Sequence, residues 1–433
     1  MRFQTSLMPN NYPDPVIFVP GIKGSALRDE YPIDPETVWS VLRAVVKSYD
    51  RIMLHPYNTR YEAQEPARVV RDQVFGLFYS EFIEELRHNL AMDPTEPVPV
   101  FPFAYDWRQP LTVIQSQFEG FVEEVIERTR LLPHYNRSGY NRKSGRVNLV
   151  GHSMGGLIIG GYVAKAGLQR VNRVATIATP FRGSLESIAI TTTGTSSLNA
   201  GGSREREAAR VTPSLYHLLP SYAGAVAKEA PNVLFESNRW QSSILSTLKS
   251  FVDRYQLPKD PALNADAVLA TMLTQARAHR ESLEKLTLPD PKQWLCVVGV
   301  NVKTRVSMSI SKDAEQKVWF DLEEAVDEFE KGKTPARRTR TGDGTVPYSG
   351  AQCAFVPANQ IICVTPGDYG FFELKDRVLD NIGLHANLPN MNLVQRLVVS
   401  HFLQRQQGDL GGCPGPDVPT KDWDPPLPKK WLS

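Results

Sequence analysis

The chain has 433 residues, 41% of them hydrophobic and 22% charged, a length that calls for two domains or one large domain with insertions. Its 49 Lys and Arg nearly cancel its 47 Asp and Glu, so the basic excess that a nucleic-acid partner demands is missing. Four widely spaced cysteines, Cys296, Cys353, Cys363 and Cys413, form no CxxC pair and have no histidine at ligand spacing, which argues against a zinc site or disulfide framework and for a reducing, cytoplasmic location.

The opening MRFQTSLMPNNYPDP has no apolar core of the signal-peptide kind, and no run of 18 apolar residues occurs. Neither standard secretion nor a membrane span is therefore expected, and any membrane contact would be peripheral. VIFVPG (16–21) reads as the first strand. In the next stretch, TVWSVLRAVVKSY sets Val38, Val41, Leu42 and Val45 at helical spacing with Trp39 beside them, a face fit either to cover the core or to lie on a lipid aggregate. VPVFPFAYDW (98–107), RVNLVG (146–151), RVATIATP (173–180), WLCVVGVNV (294–302) and IICVTP (361–366) read as five more strands. Residues 80–90, 118–132 and 392–406 carry apolar residues at helical spacing with charged outer faces. Strands alternating with helices predict an α/β class, with a mostly parallel central sheet flanked by helices. Residues 1–28, 92–185 and 293–406 then make the body, 29–91 a first cap insertion, 186–292 a second cap or lid insertion, and 407–433 a Pro- and Gly-rich tail.

Chemistry concentrates in VNLVGHSMGGLIIGGYVAKAG, where glycines crowd around Ser153 between a strand and a helix. G-x-S-x-G in that context is a nucleophile elbow, in which small residues let strand and helix pass closely while the serine takes a strained turn. A serine hydroxyl needs a base and an orienting carboxylate, in the chain order Ser, Asp, His for this fold. His385 and His401 lie far enough downstream; His401 falls inside the last amphipathic helix, and His385 precedes it in DNIGLHANLPNMN, so His385 is favoured. TGDGTVPYSG offers Asp343 between glycines. Alone it would read equally well as an Asp-Gly turn. The oxyanion donors expected are the backbone N–H of Met154, next to the nucleophile, and that of Ile22 in PGIKGSAL after the first strand.

These residues together resemble the lecithin:cholesterol acyltransferase family, the branch of the α/β hydrolases that includes lysosomal phospholipase A2 and the phospholipid:diacylglycerol acyltransferases. VPGIKGSAL is similar to the family's first-strand loop, AYDWR (104–108) to its PYDWR signature, ATPFRGS (178–184) to its AP-W-GG-S, and GDGTVP to its acid loop; Trp39 resembles its early tryptophan. The similarity runs over roughly residues 16–400. It implies an α/β-hydrolase fold with cap insertions, Ser153, Asp343 and His385 as a triad, and the amides of Ile22 and Met154 as the oxyanion hole. Phe181 and Arg182 depart from the family pattern, and so does the absence of an early-cap disulfide, which weighs against an extracellular lipoprotein role.

The function implied is a serine hydrolase or acyltransferase acting on fatty-acyl glycerolipid or phospholipid esters through an acyl-enzyme, with no metal or organic cofactor required. Two alternatives stay open: a carboxylesterase or thioesterase on small soluble esters, and a non-catalytic lipid- or partner-binding member of the fold. Asp106 and Arg108 in AYDWR read more readily as a structural ion pair than as catalysts. Arg337, Arg338 and Arg340 read as a solvated loop, or as a grip on a phosphate headgroup.

Overall fold

Short runs rich in Val, Ile and Leu suit strands that are covered on both faces, and such runs build the centre of the computed structural model. Residues 12–30, 34, 36–40, 52–53, 69–91, 93–195, 202–254, 264–322, 342–357, 360–369 and 383–404 are described. Their strands are, in chain order, β1 (Val16–Val19), β2 (Ser25–Asp29), β3 (Glu36–Trp39), β4 (Val69–Val74), β5 (Val100–Pro102), β6 (Val147–His152), β7 (Val171–Ile177), β8 (Trp294–Gly299), β9 (Met308–Lys312), β10 (Val318–Leu322) and β11 (Ile361–Val364). Each of the six runs expected as strands supplies one strand of a six-stranded sheet ordered β11-β8-β7-β6-β1-β5. Every pairing in it is parallel.

The alternation of side chains divides the core in two. Ile17, Val19, Leu149, Val174, Cys296 and Val298 point to one face, whereas Val16, Phe18, Val150, Ala175, Leu295 and Val297 point to the other, as a period of two requires. Helices Leu111–Thr129, Met154–Ala166 and Ala265–Glu284 bury their apolar stripes in the first cluster. Helices Gly76–Leu90 and Asn392–Phe402 cover the second. β5 stops at Pro102, short of the expected 98–107. It is an edge strand, and a proline there costs no ladder bond.

One expectation fails. Val38 and Trp39 sit in β3, not in a helix, and β3 pairs antiparallel with β2, which also pairs with β4. Thr37, Val38 and Trp39 are β-branched or aromatic, and pairing with a neighbouring strand overrides their helical spacing. Trp39 is buried against Trp107, ring centroids 5.3 Å apart, so it faces protein and not lipid. Residues 41–51, including the rest of that pattern, lie outside the described residues, as do Arg337, Arg338, Arg340, Cys413 and the 407–433 tail.

Within residues 186–292 the helices Glu186–Thr193, Ser203–Arg210 and Ser242–Arg254 are joined through one buried side chain. Arg210 donates from Nε to the Thr191 carbonyl (2.8 Å) and from Nη1 to the Ser243 carbonyl (3.0 Å) and Thr247 Oγ1 (2.8 Å). Among the described residues no helix is long and apolar enough to cross a membrane.

Candidate active site

β6 ends at His152 and the next helix starts at Met154, so Ser153 alone makes the turn, at φ 52° and ψ −125°. A non-glycine residue there carries strain of about 1–3 kcal/mol, which its surroundings must over-determine. They do so through the sheet: the Ser153 N–H donates to the Ile177 carbonyl of β7 at 2.8 Å. Ala178, at φ 53°, repeats the device one strand over, donating to the Val297 carbonyl at 2.8 Å.

Gly155 shows why the motif needs glycine. A Cβ at that position would stand 2.2 Å from the Val19 carbonyl oxygen and 2.7 Å from that of Pro20, both backbone. The expected outcome for Gly155→Ala is a loss of about 1–3 kcal/mol or more of stability from forced overpacking, because β1 and the loop after it are pushed away. Urea unfolding of the purified variant checks this; a midpoint equal to wild type would contradict it.

The structure brings the three residues singled out from the sequence together. His385 lies in the short helix Gly383–Asn387, and its Nε2 is 3.0 Å from Ser153 Oγ. Its Nδ1 is 2.7 Å from Asp343 Oδ2. Asp343 Oδ1 accepts the backbone N–H groups of Thr345 (2.9 Å) and Val346 (2.7 Å), which fixes the carboxylate plane and leaves Oδ2 for the imidazole. A carboxylate only accepts, so His385 Nδ1 carries the proton and Nε2 is free to accept from the Ser153 hydroxyl. The His385 N–H also donates to the Asp343 carbonyl at 3.2 Å. Asp343 is 1% exposed, His385 5% and Ser153 7%. His401 lies elsewhere, its Nε2 3.2 Å from the Gln293 carbonyl.

Beside Ser153 runs the turn after β1. A Cβ on Gly21 would lie 3.0 Å from Ser153 Cβ, so a larger residue would need the loop or the serine to give by a few tenths of an ångström. The left-handed residue of the turn is Lys23, at φ 62°, and not Gly21 or Gly24. Its conformation is held from outside. Trp39 Nε1 donates to the Lys23 carbonyl (3.2 Å), and Lys23 Nζ sits 5.4 Å over the Trp39 ring while pairing at 2.9 Å with Glu205, a residue of helix Ser203–Arg210 that is 2% exposed. Ile22 is half-buried in this turn, and Met154 is fully buried as the first residue of its helix. The N–H groups of both have no protein acceptor among the described residues, which for Met154 is the ordinary state of a first-turn amide.

Asp106 and Arg108 form the ion pair expected of them: Arg108, 2% exposed, donates from Nε to Asp106 Oδ1 (2.8 Å) and from Nη2 to Oδ2 (2.7 Å), and from Nη1 to the Ile52 carbonyl (3.3 Å). It braces the segment after β5. Arg182, at the family departure, pairs with Glu284 (3.0 Å).

Two polar residues at the site were missed from sequence. Tyr79 lies among the apolar residues of its helix, where nothing marks its hydroxyl as special, and His152 stands within the elbow motif itself. Tyr79 Oη is 2.8 Å from His152 Nδ1, and His152 Nε2 is 2.9 Å from the His385 carbonyl. A histidine directly before Ser153 is the one signal that could have pointed to this pair.

Residues 80–251 match the family model of lecithin:cholesterol acyltransferase. The resemblance read from AYDWR and the elbow is thereby borne out; Asp343 and His385 fall outside the matched segment. A chain in the crystal structure of the Tle4–Tli4 complex is similar over 90% of this chain and 97% of its own, with a TM-score of 0.61 at 14% identity. That likeness is one of fold, and the fold is that of an α/β hydrolase. No curated protein matches the sequence.

Proposed function

We propose that this protein is a serine acyl hydrolase or acyltransferase acting on fatty-acyl esters of glycerolipids or phospholipids. The observation that carries the proposal is the buried run from Ser153 Oγ through His385 to Asp343, with separations of 3.0 and 2.7 Å. His385 Nε2 takes the hydroxyl proton as Ser153 Oγ attacks the ester carbonyl. The N–H groups of Ile22 and Met154 hold the negative oxygen of the tetrahedral intermediate, and Asp343 stabilises the imidazolium. His385 returns the proton to the leaving alcohol oxygen as the C–O bond breaks, leaving the acyl group on Ser153. Water or a second alcohol, deprotonated by the same imidazole, then releases it. The lipid nature of the acyl group is supported by the matched family, whose description is lecithin:cholesterol acyltransferase. Helices Gly76–Leu90 and Ala265–Glu284 pack on the sheet, so within 29–91 and 186–292 a cap over the acyl group is left to the other described residues, and the cytoplasmic location expected from the cysteines is retained.

A fluorophosphonate probe tests the nucleophile: covalent label should map by peptide mass spectrometry to Ser153 and to no other serine. A folded chain that takes no label would leave a binding protein in its place. Mass spectrometry of products from a mixed lipid extract, with and without added alcohol, then separates hydrolysis from acyl transfer. Turnover of small soluble esters without a rise when the substrate forms micelles would point to a carboxylesterase or thioesterase.

A further inference from the structure

We propose that Tyr79 and His152 are positioning residues for this reaction, tying the backbone of His385 to the loop at Gly21 so that the base and the oxyanion donors keep one fixed separation. The inference rests on the roles proposed above for Ser153 and His385.

Three hydrogen bonds make the connection. The Gly21 N–H donates to Tyr79 Oη (3.2 Å), Tyr79 Oη is 2.8 Å from His152 Nδ1, and His152 Nε2 is 2.9 Å from the His385 carbonyl. The proton inventory permits one arrangement. An amide only donates, so the phenol accepts from Gly21 and turns its own proton toward His152 Nδ1. A carbonyl only accepts, so His152 Nε2 carries the ring proton. Every donor and acceptor along the run is matched by one neutral tautomer of one histidine.

The relay joins four parts of the chain through side chains. Gly21 follows β1, Tyr79 comes from helix Gly76–Leu90, His152 ends β6, and His385 belongs to a short helix near the C-terminal end. Tyr79 is 5% exposed and His152 3%, and the Tyr79 ring also packs against Phe18, centroids 4.8 Å apart. Backbone anchoring matters at His385 because its ring must reach both Ser153 and Asp343, and misplacement by about 1 Å in such a site costs about a hundredfold in rate. Burial, reinforced by the nearby His385, holds the His152 ring neutral down to about pH 3. With the two rings 5.1 Å apart, a charged His152 would oppose the imidazolium that forms during attack, and a neutral one does not.

The test compares Tyr79→Phe, His152→Phe and His152→Gln in the full chain. Readouts are the second-order rate of fluorophosphonate labelling, kcat and KM for p-nitrophenyl butyrate, and ¹⁵N NMR of the histidine rings. His152→Phe should lower kcat and labelling about a hundredfold with KM within about twofold of wild type, because an orientation used in the transition state is lost. His152→Gln, whose side-chain amide replaces the Nε2–H donor, should recover about tenfold of that loss, and Tyr79→Phe, which removes both hydrogen bonds of the hydroxyl, should cost about tenfold. In wild type the His152 ring should show a protonated Nε2 and a bare Nδ1, and the Nδ1 shift should change in Tyr79→Phe. Folded His152→Phe and Tyr79→Phe proteins with wild-type rates would overturn the proposal, as would equal losses in the Gln and Phe variants. Should His152→Phe fail to fold, Tyr79→Phe decides through its rate and NMR signature. Ser153→Ala separates the two levels. Label or turnover persisting there removes the serine mechanism itself, whereas an inert Ser153→Ala beside His152 variants at wild-type rates removes only the positioning role.

Discussion

Ser153→Ala should lower ester turnover by about a millionfold, the scale on which removing a triad serine acts elsewhere, while the unfolding midpoint hardly moves. The stability half of this expectation is as informative as the first. Alanine keeps the Cβ and takes up the same strained turn, and the bonds that hold the turn run through the Ser153 backbone to Ile177. What alanine cannot make is the hydroxyl's hydrogen bond to His385, worth about 1 kcal/mol in either direction because the freed imidazole nitrogen stays half-satisfied or meets water. Ester hydrolysis measured beside urea unfolding checks both. A folded Ser153→Ala chain that keeps more than about a hundredth of wild-type turnover would remove Ser153 from the mechanism, since its amides and binding surface account for only the residual rate.

Stability should fall steeply as the pH drops below 6.5. His152, His217 and His279 are 3%, 1% and 5% exposed. Burial, joined by neighbouring positive charge, lowers His152 and His279 to about 3 and His217 well below its ordinary value of 6.5. Both ring nitrogens of His217 lack a protein partner among the described residues. In the unfolded chain all three titrate near 6.5. Between that value and about 3 the unfolded state therefore binds more protons, and stability rises with pH. What the neutral rings contribute is present in full above pH 6.5 and is lost as the pH falls toward their folded values. Asp14, raised by burial to about 6, acts in the opposite sense over a narrower interval. His401, lowered by burial to about 4, acts with the other histidines, so near pH 5 the balance is an uptake of about three protons on unfolding, a slope of about 4 kcal/mol per pH unit. Urea midpoints at pH 7, 6 and 5 test this, and a stability flat across that range would show that these histidines are not neutral in the fold.

The central sheet was legible because each of its strands is a short run dominated by apolar residues, and a run covered on both faces leaves few alternatives. The elbow was legible for the opposite reason, since glycines crowding a polar residue between strand and helix have few uses. Asp343 and His385 could be placed by chain order and by their loops. The β2–β3–β4 ribbon could not be read, because Val38 and Trp39 satisfy helical and extended spacing alike and only pairing with Leu27 and its neighbours decides between them. Tyr79 was hidden by composition. In an amphipathic helix a tyrosine scores as one more apolar residue, and its hydroxyl gains meaning only once β1 and β6 bring Gly21 and His152 to it.

The positive-φ conformations of Ser153 and Ala178 sit at the ends of adjacent strands, each clasped by a carbonyl of the next strand along. The Ser153 hydroxyl is thus aimed by a row of parallel strands in the way a keystone is aimed by its arch. A shift at β8, three strands from β1, would be passed to the hydroxyl through Val297, Ala178, Ile177 and Ser153.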